Sequence, residues 1–179
     1  MNLNLVPFGK ANYTHAGENY TFNCHHGEKE CMGNKVHACA LKKIMDMDMQ
    51  VKFINCVMTM NAEKKPEEYP TKMCANDVKL AADVTSQLES CATSNEGDAL
   101  LAEFGDMTMK FQNPLKSVPS VTFTNEPNKD NAEATSNFRM ALCSQIMDPK
   151  PAICNKNSAS SYHSSLFLVP LTYFFTLKL

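Results

Sequence analysis

The chain has 179 residues, 44% of them hydrophobic, with 17 Lys and Arg against 19 Asp and Glu. That is enough apolar material for one core and too little chain for a second full domain. The net charge of -2, with Arg139 as the only arginine, leaves no basic stripe to follow a phosphate backbone, so nucleic acid is excluded as a partner.

Cysteine is the strongest compositional signal. Eight cysteines, even in number and widely spaced, argue for disulfides made in an oxidising compartment. The triplets Asn12-Tyr13-Thr14 and Asn19-Tyr20-Thr21 are acceptors for glycosylation at Asn12 and Asn19 and point the same way. Met1 to Lys10, however, has no apolar run of signal-peptide length. Either export is unusual or the beginning lies upstream.

Leu3, Leu5, Val6 and Phe8 suit a buried strand, ended by Pro7 and Gly9. Asn12 to Cys39 is polar and cysteine-dense, with Cys24, Cys31 and Cys39 spaced C-x6-C-x7-C, and reads as a stapled loop that becomes helical near Val36. From Val36 to Met60 there is no Pro or Gly, and Val36, Cys39, Ile44 and Met47 recur at helical spacing. One long helix or a broken pair follows from that pattern. Pro66 and Pro70 punctuate a polar stretch, after which Val78, Ala81, Leu88 and Cys91 form another apolar stripe. Thr93-Ser94-Asn95-Glu96 has capping-box form, so a further helix starts there and runs through Phe104, with Gly105 as its end or a weak point.

Val118 to Thr124 is β-branched and alternating, a strand entered at Pro119, and Asn125 to Asn128 makes the turn after it. Asp130-Asn131-Ala132-Glu133 opens a helix whose face carries Ala134, Phe138, Ala141 and Ile146, stopped by Pro149 and Pro151. Beyond Cys154 the composition becomes Ser-rich and then, from Leu166 to Leu179, almost wholly apolar. Asn157 with its small neighbours has the form of a lipid-anchor attachment site whose hydrophobic tail is removed; an extension without structure carries equal weight. A membrane-spanning helix fits less well, since the apolar stretch is short of ~20 residues and contains Pro170.

The segment Cys24-His25-His26-Gly27-x-x-Glu30-Cys31-x-x-Asn34-x-x-x-x-Cys39 resembles the signature of the gamma-interferon-inducible lysosomal thiol reductase family. Cys24, His26, Gly27, Glu30, Cys31, Asn34 and Cys39 match in type and spacing, while His25 replaces the usual Gln. Leu5 to Ala11, the order of Cys56, Cys74 and Cys91, and Val118-Pro119-x-Val121 extend the likeness over residues 2–154, with 155–179 as a spacer and tail. Ser120, where an aromatic residue is common, alters how a substrate is held.

The resemblance implies an α/β fold, thioredoxin-like with a helical cysteine-rich insertion. It also implies reduction of disulfide-bonded protein substrates in the secretory pathway, outside the cell or in the lysosome, with surface anchoring if the tail is processed. Pro119 is then a cis-proline shaping the substrate groove, and no cofactor or metal is needed.

In that family a Cys-x-x-Cys pair at a helix start supplies the attacking and resolving thiols, a placement that favours the thiolate. No two of the eight cysteines here have that spacing, so the chain as written holds no catalytic residue and is expected to be inactive. Cys24, Cys31, Cys39, Cys56, Cys74, Cys91, Cys143 and Cys154 are disulfide candidates of undetermined pairing. Zinc on His25, His26 and His37 with their cysteines is disfavoured by the wide spacing. The first strand and active-site helix of the fold are missing as well, which leaves the Leu3–Phe8 and Val121–Thr124 strands without a neighbour between them. An internal methionine mistaken for the start would explain this. The rival reading is an inactive, secreted or anchored cysteine-rich binding protein on the same scaffold.

Overall fold

The computed structural model describes residues 2–17, 19–64, 66–123 and 132–155, together with the backbone of 173–178. The elements are β1 (Asn2–Pro7), β2 (Asn12–Ala16), β3 (Asn19–Asn23), α1 (Glu28–Lys43), α2 (Met47–Lys64), α3 (Thr71–Asp77), α4 (Ala82–Ala92), α5 (Asn95–Phe111), β4 (Ser120–Phe123), α6 (Ala132–Ser136), α7 (Phe138–Gln145), α8 (Ala152–Asn155) and β5 (Tyr173–Lys178). The fold is α/β and mostly helical, with a three-stranded sheet in the order β1-β5-β4 and a separate β2–β3 hairpin.

The first strand forms where its apolar alternation placed it, with Leu5, Val6 and Phe8 buried. The polar stretch after it differs from the stapled loop expected. Tyr13, Tyr20 and Phe22 are half-buried while Asn12, Thr14, Asn19 and Thr21 are exposed, a period of two that makes an antiparallel hairpin turning at Gly17. The aromatic face lies on α5: the Tyr13 ring stands edge-on to Phe8 at 6.2 Å, and its hydroxyl donates to Asp106 Oδ1 at 2.7 Å. Helix α1 also starts at Glu28, well before Val36, because the Cys24–Cys31 disulfide closes its entrance.

The Met-rich stretch is a broken pair. Ile44 turns extended, Asp46 Oδ1 accepts the Met49 N–H at 2.8 Å to begin α2, and Gln50 Nε2 donates to the Leu41 and Ile44 carbonyls across the break. Without Pro or Gly, side-chain capping alone ends α1. The polar stretch after Pro70 contains a short helix, α3, that its composition hid.

The expected capping box at Thr93 to Glu96 does not form. Thr93 Oγ1 and Ser94 Oγ instead donate back to carbonyls of α4, so both hydroxyls finish one helix and do not cap the next. Gly105 is neither an end nor a weak point. It sits inside α5, where an added Cβ would lie 2.7 Å from the Phe8 ring, and its bareness lets α5 and β1 approach.

Val36, Cys39, Phe53, Val57, Cys74, Leu88 and Cys91 belong to the main core among α1 to α4, against which β1 presents Leu5. A smaller core of Val121, Phe123, Ala134 and Ala141 lies under β4, α6 and α7, and Leu3 packs against both. The helix expected after Asp130 is two pieces, because Asn137 accepts the Met140 N–H and restarts the chain as α7; Phe138 is then exposed instead of facing the core. Asn125 to Asn131 and the anchor candidate Asn157 lie outside the described residues.

The strands of the sheet are not left unpaired as anticipated. β5, from the apolar end of the chain, stands between them, antiparallel to β1 (Leu5 opposite Phe175) and parallel to β4 (Val121 opposite Phe175). It lies within the segment that anchor processing would remove. Among the described residues no helix is long and apolar enough to cross a membrane.

Candidate functional site

The signature residues gather at the entrance of α1. Gly27 is the N-cap residue, with φ 84° and ψ -165°, a conformation that side chains with a Cβ avoid. Its N–H donates to the Cys24 carbonyl, and its own carbonyl accepts from Glu30 and Cys31, so the turn closes on the helix. Glu30 Oε2 accepts the His26 backbone N–H at 2.6 Å and stands 2.8 Å from His26 Nδ1. This first-turn carboxylate ties back the chain one residue before the N-cap, whose own N–H is taken by Cys24, and its charge suits the helix N-terminus. The side chain of Glu30 is almost covered, whereas that of His26 is half exposed.

Cys31 is bonded to Cys24, and the two staple this turn. One helical turn deeper, buried Asn34 donates from Nδ2 to the Phe8 carbonyl at 3.2 Å, which fastens α1 to the end of β1. Cys39, fully buried, is bonded to Cys91 and joins α1 to α4. Cys56–Cys74 joins α2 to α3, and Cys143–Cys154 joins α7 to α8. All eight candidates are therefore paired and none is a free thiol. The three signature cysteines have no thiolate left to offer a metal, and among the described residues no group of three or more His, Cys, Asp and Glu is placed to hold one.

Pro119 follows a cis Val118–Pro119 bond at the mouth of β4. The pairing register brings three segments to one end of the sheet: Pro7 of β1 opposite Tyr173, Ser120 of β4 opposite Phe174, and Pro119 beside them. Asn34, through the Phe8 carbonyl, anchors the signature helix to that same end. Ser120 is buried and donates from Oγ to the Ser117 carbonyl at 2.8 Å, so its hydroxyl is engaged in shaping the loop ahead of Pro119. Asn12 and Asn19 are on the hairpin's exposed face, away from the aromatic side.

One pair escaped the sequence reading. His37, buried on α1, has Nε2 2.7 Å from the Tyr69 hydroxyl, and the rings stand edge to face at 5.7 Å. Burial pushes the imidazole down to about 3 and the phenol upward, so both are neutral over the physiological range. Their separation of 32 residues left no local signal. The only hint was a histidine at a helical position facing the core.

The model of the gamma interferon inducible lysosomal thiol reductase family matches residues 1–78. A gamma-interferon-inducible lysosomal thiol reductase-like protein of Anopheles gambiae is 42% identical over 94% of this chain and 73% of its own. GILT-like protein 1 of Drosophila melanogaster is 37% identical over 89% of this chain and 67% of its own. The gamma-interferon-inducible lysosomal thiol reductase of Carassius auratus is 31% identical over 90% of this chain and 63% of its own.

Proposed function

We propose, since the chain belongs to the gamma-interferon-inducible lysosomal thiol reductase family, that it is the scaffold of a thioredoxin-like thiol oxidoreductase acting on protein disulfides in the secretory or lysosomal pathway. The observation that carries this reading is the signature itself. The matched residues from Cys24 to Cys31 close the entrance of α1, Asn34 fastens that helix to the end of β1 near Pro119, and Cys39 joins it to α4. The signature thus builds a platform, and the chemistry belongs to a separate pair of thiols.

In that chemistry a low-pKa thiolate attacks one sulfur of the substrate disulfide and expels the other as a thiolate. The second thiol of the pair then attacks the mixed disulfide, releases the reduced substrate and leaves the pair oxidised. A low-molecular-weight thiol returns it to the dithiol. Pro119 presents backbone to the extended substrate at the sheet end. The eight paired cysteines take no part, so a Cys-x-x-Cys beyond these residues must supply both thiols.

The test compares two proteins. With a thiol reductant and a disulfide-bonded protein substrate, residues 1–179 alone give only the uncatalysed rate. The product of the same reading frame extended upstream to a Cys-x-x-Cys accelerates reduction, and loses the gain when the first cysteine of that pair becomes Ser. Equal activity without the pair overturns the reading. One observation favours the rival, an inactive binding scaffold: the residues in hand hold no free thiol. An upstream frame with no Cys-x-x-Cys decides for it.

Passage through the secretory pathway is supported by four disulfides and by the exposure of Asn12 and Asn19. Protein from a secreting eukaryotic host is expected to lose mass on enzymatic removal of N-glycans. Asn12→Gln and Asn19→Gln should each remove one of two steps in that shift.

A further inference from the structure

Two lysines stand at the sheet end that carries Pro119. β1 leaves the sheet at Pro7 and turns through Phe8, Gly9 and Lys10, while the loop from α5 reaches Pro119 through Lys116, Ser117 and Val118. The two strands run in opposite directions. Leu3, near the start of β1, packs on the cluster that holds Val121 and Phe123, so the end of β1 lies level with the start of β4. Lys10 and Lys116 are therefore carried at one end, three residues beyond Pro7 and three before Pro119.

Both sit on braced backbone. Asn34 holds the Phe8 carbonyl, and Gly9 turns the chain at φ 66°. On the other side the Lys116 N–H donates to Gln112 Oε1 at 2.7 Å, Gln112 closes α5 on the Thr108 carbonyl, and Ser120 Oγ donates to the Ser117 carbonyl. Lys35, Lys43 and Lys72 form ion pairs with Asp98, Glu96 and Glu89, whereas Lys10 and Lys116 are exposed and have no ion-pair partner among the described residues. Asp106, which α5 brings close to Phe8, accepts the Tyr13 hydroxyl, and Lys110 four residues on offsets its charge. The C-terminus of α5 contributes about half a negative charge. Two ammonium groups therefore leave this end with a positive surplus.

We infer, resting on the thiol-reductase reading of this groove, that Lys10 and Lys116 select substrates by charge: protein segments with carboxylates on both sides of the disulfide cysteine. The spacing follows from the fold. β1 and β4 are two strand spacings apart, about 10 Å, and each lysine arm adds about 6 Å. The ammonium groups thus bracket about 20 Å of chain, or about six extended residues. That puts Asp or Glu about three positions to either side of the cysteine that meets Pro119.

Binding alone reads this selection in the full 179-residue chain, because no free thiol is present to exchange with a disulfide probe. Two fluorescein-labelled peptides of about 15 residues, long enough to overrun the bracket at both ends, carry a central cysteine blocked as the mixed disulfide with 2-mercaptoethanol. One has Glu and the other Lys at the third position on each side. Anisotropy titrations at ~20 mM salt should find the Glu peptide bound about tenfold more tightly, with the difference shrinking to about twofold at ~500 mM. Lys10→Gln and Lys116→Gln should each remove about a factor of three of that preference, whereas Lys52→Gln, at an exposed position of α2, leaves it unchanged. Equal binding of the two peptides, weakened alike by Pro119→Ala, overturns the charge selection and leaves the groove standing. A loss with Lys52→Gln as large as with Lys116→Gln also overturns it, since net charge then suffices. No binding of either peptide up to ~1 mM removes the groove and the selection together.

Discussion

Two residues of α1 carry the clearest predictions at the scale of single side chains. His37 is neutral in the fold, held down to about 3 by burial, and has an ordinary value near 6.5 when unfolded. Between those values the unfolded chain binds the proton and the native one does not. The contribution of His37 is thus fully present above pH 6.5 and is lost as pH falls toward 3. From pH 6.5 to 5 the loss is about 2 kcal/mol. Denaturant titrations at those two pH values should show His37→Gln with a smaller pH difference than the parent chain, by about that amount. Gly27 is the second case: a Cβ at φ 84° carries a cost of about 1–3 kcal/mol, so Gly27→Ala should lower the denaturation midpoint although the position is exposed. An unchanged midpoint would mean that the turn relaxes freely.

At the scale of elements the disulfides differ in what they close. Cys39–Cys91 spans 52 residues and Cys24–Cys31 spans 7. Loop-closure entropy then assigns about 4 kcal/mol to the first and about 2 kcal/mol to the second. Replacing both cysteines of each pair by Ala should preserve that order in urea unfolding, and the reverse order would show that strain or residual structure dominates. The helices built on an apolar period, α4 and α5, could be read from the sequence because burial alone specifies them. The β2–β3 hairpin could not: its alternation is carried by Tyr, His and Phe among Asn and Thr, and cysteine density around it suggested a loop. The apparent capping box at Thr93 failed for a related reason. Two hydroxyls between adjoining helices can serve either one, and only packing decides.

At the scale of the whole molecule, the spacing identified the signature residues, while neither the helix they open nor the closure of the sheet could be read from it. Cys24, Gly27 and Glu30 stand at the entrance of α1 and Asn34 and Cys39 deeper in the same helix, where the sequence suggested a stapled loop that turns helical only near Val36. The middle of the sheet is filled from the far end of the chain, by a segment whose apolar composition suited an anchor equally well. Composition does not encode which strand lies beside which, and the distance from Pro7 to Tyr173 along the chain leaves no local trace. All eight cysteines are structural, and the proposed function places the redox pair apart from them. Alkylation of the native 179-residue chain under non-reducing conditions, read by intact mass and peptide mapping, tests it most directly. All eight cysteines are expected to stay unlabelled until the chain is reduced and denatured, with linkages 24–31, 39–91, 56–74 and 143–154. A cysteine that reacts in the native chain would contradict it, and would place a working thiol inside these residues.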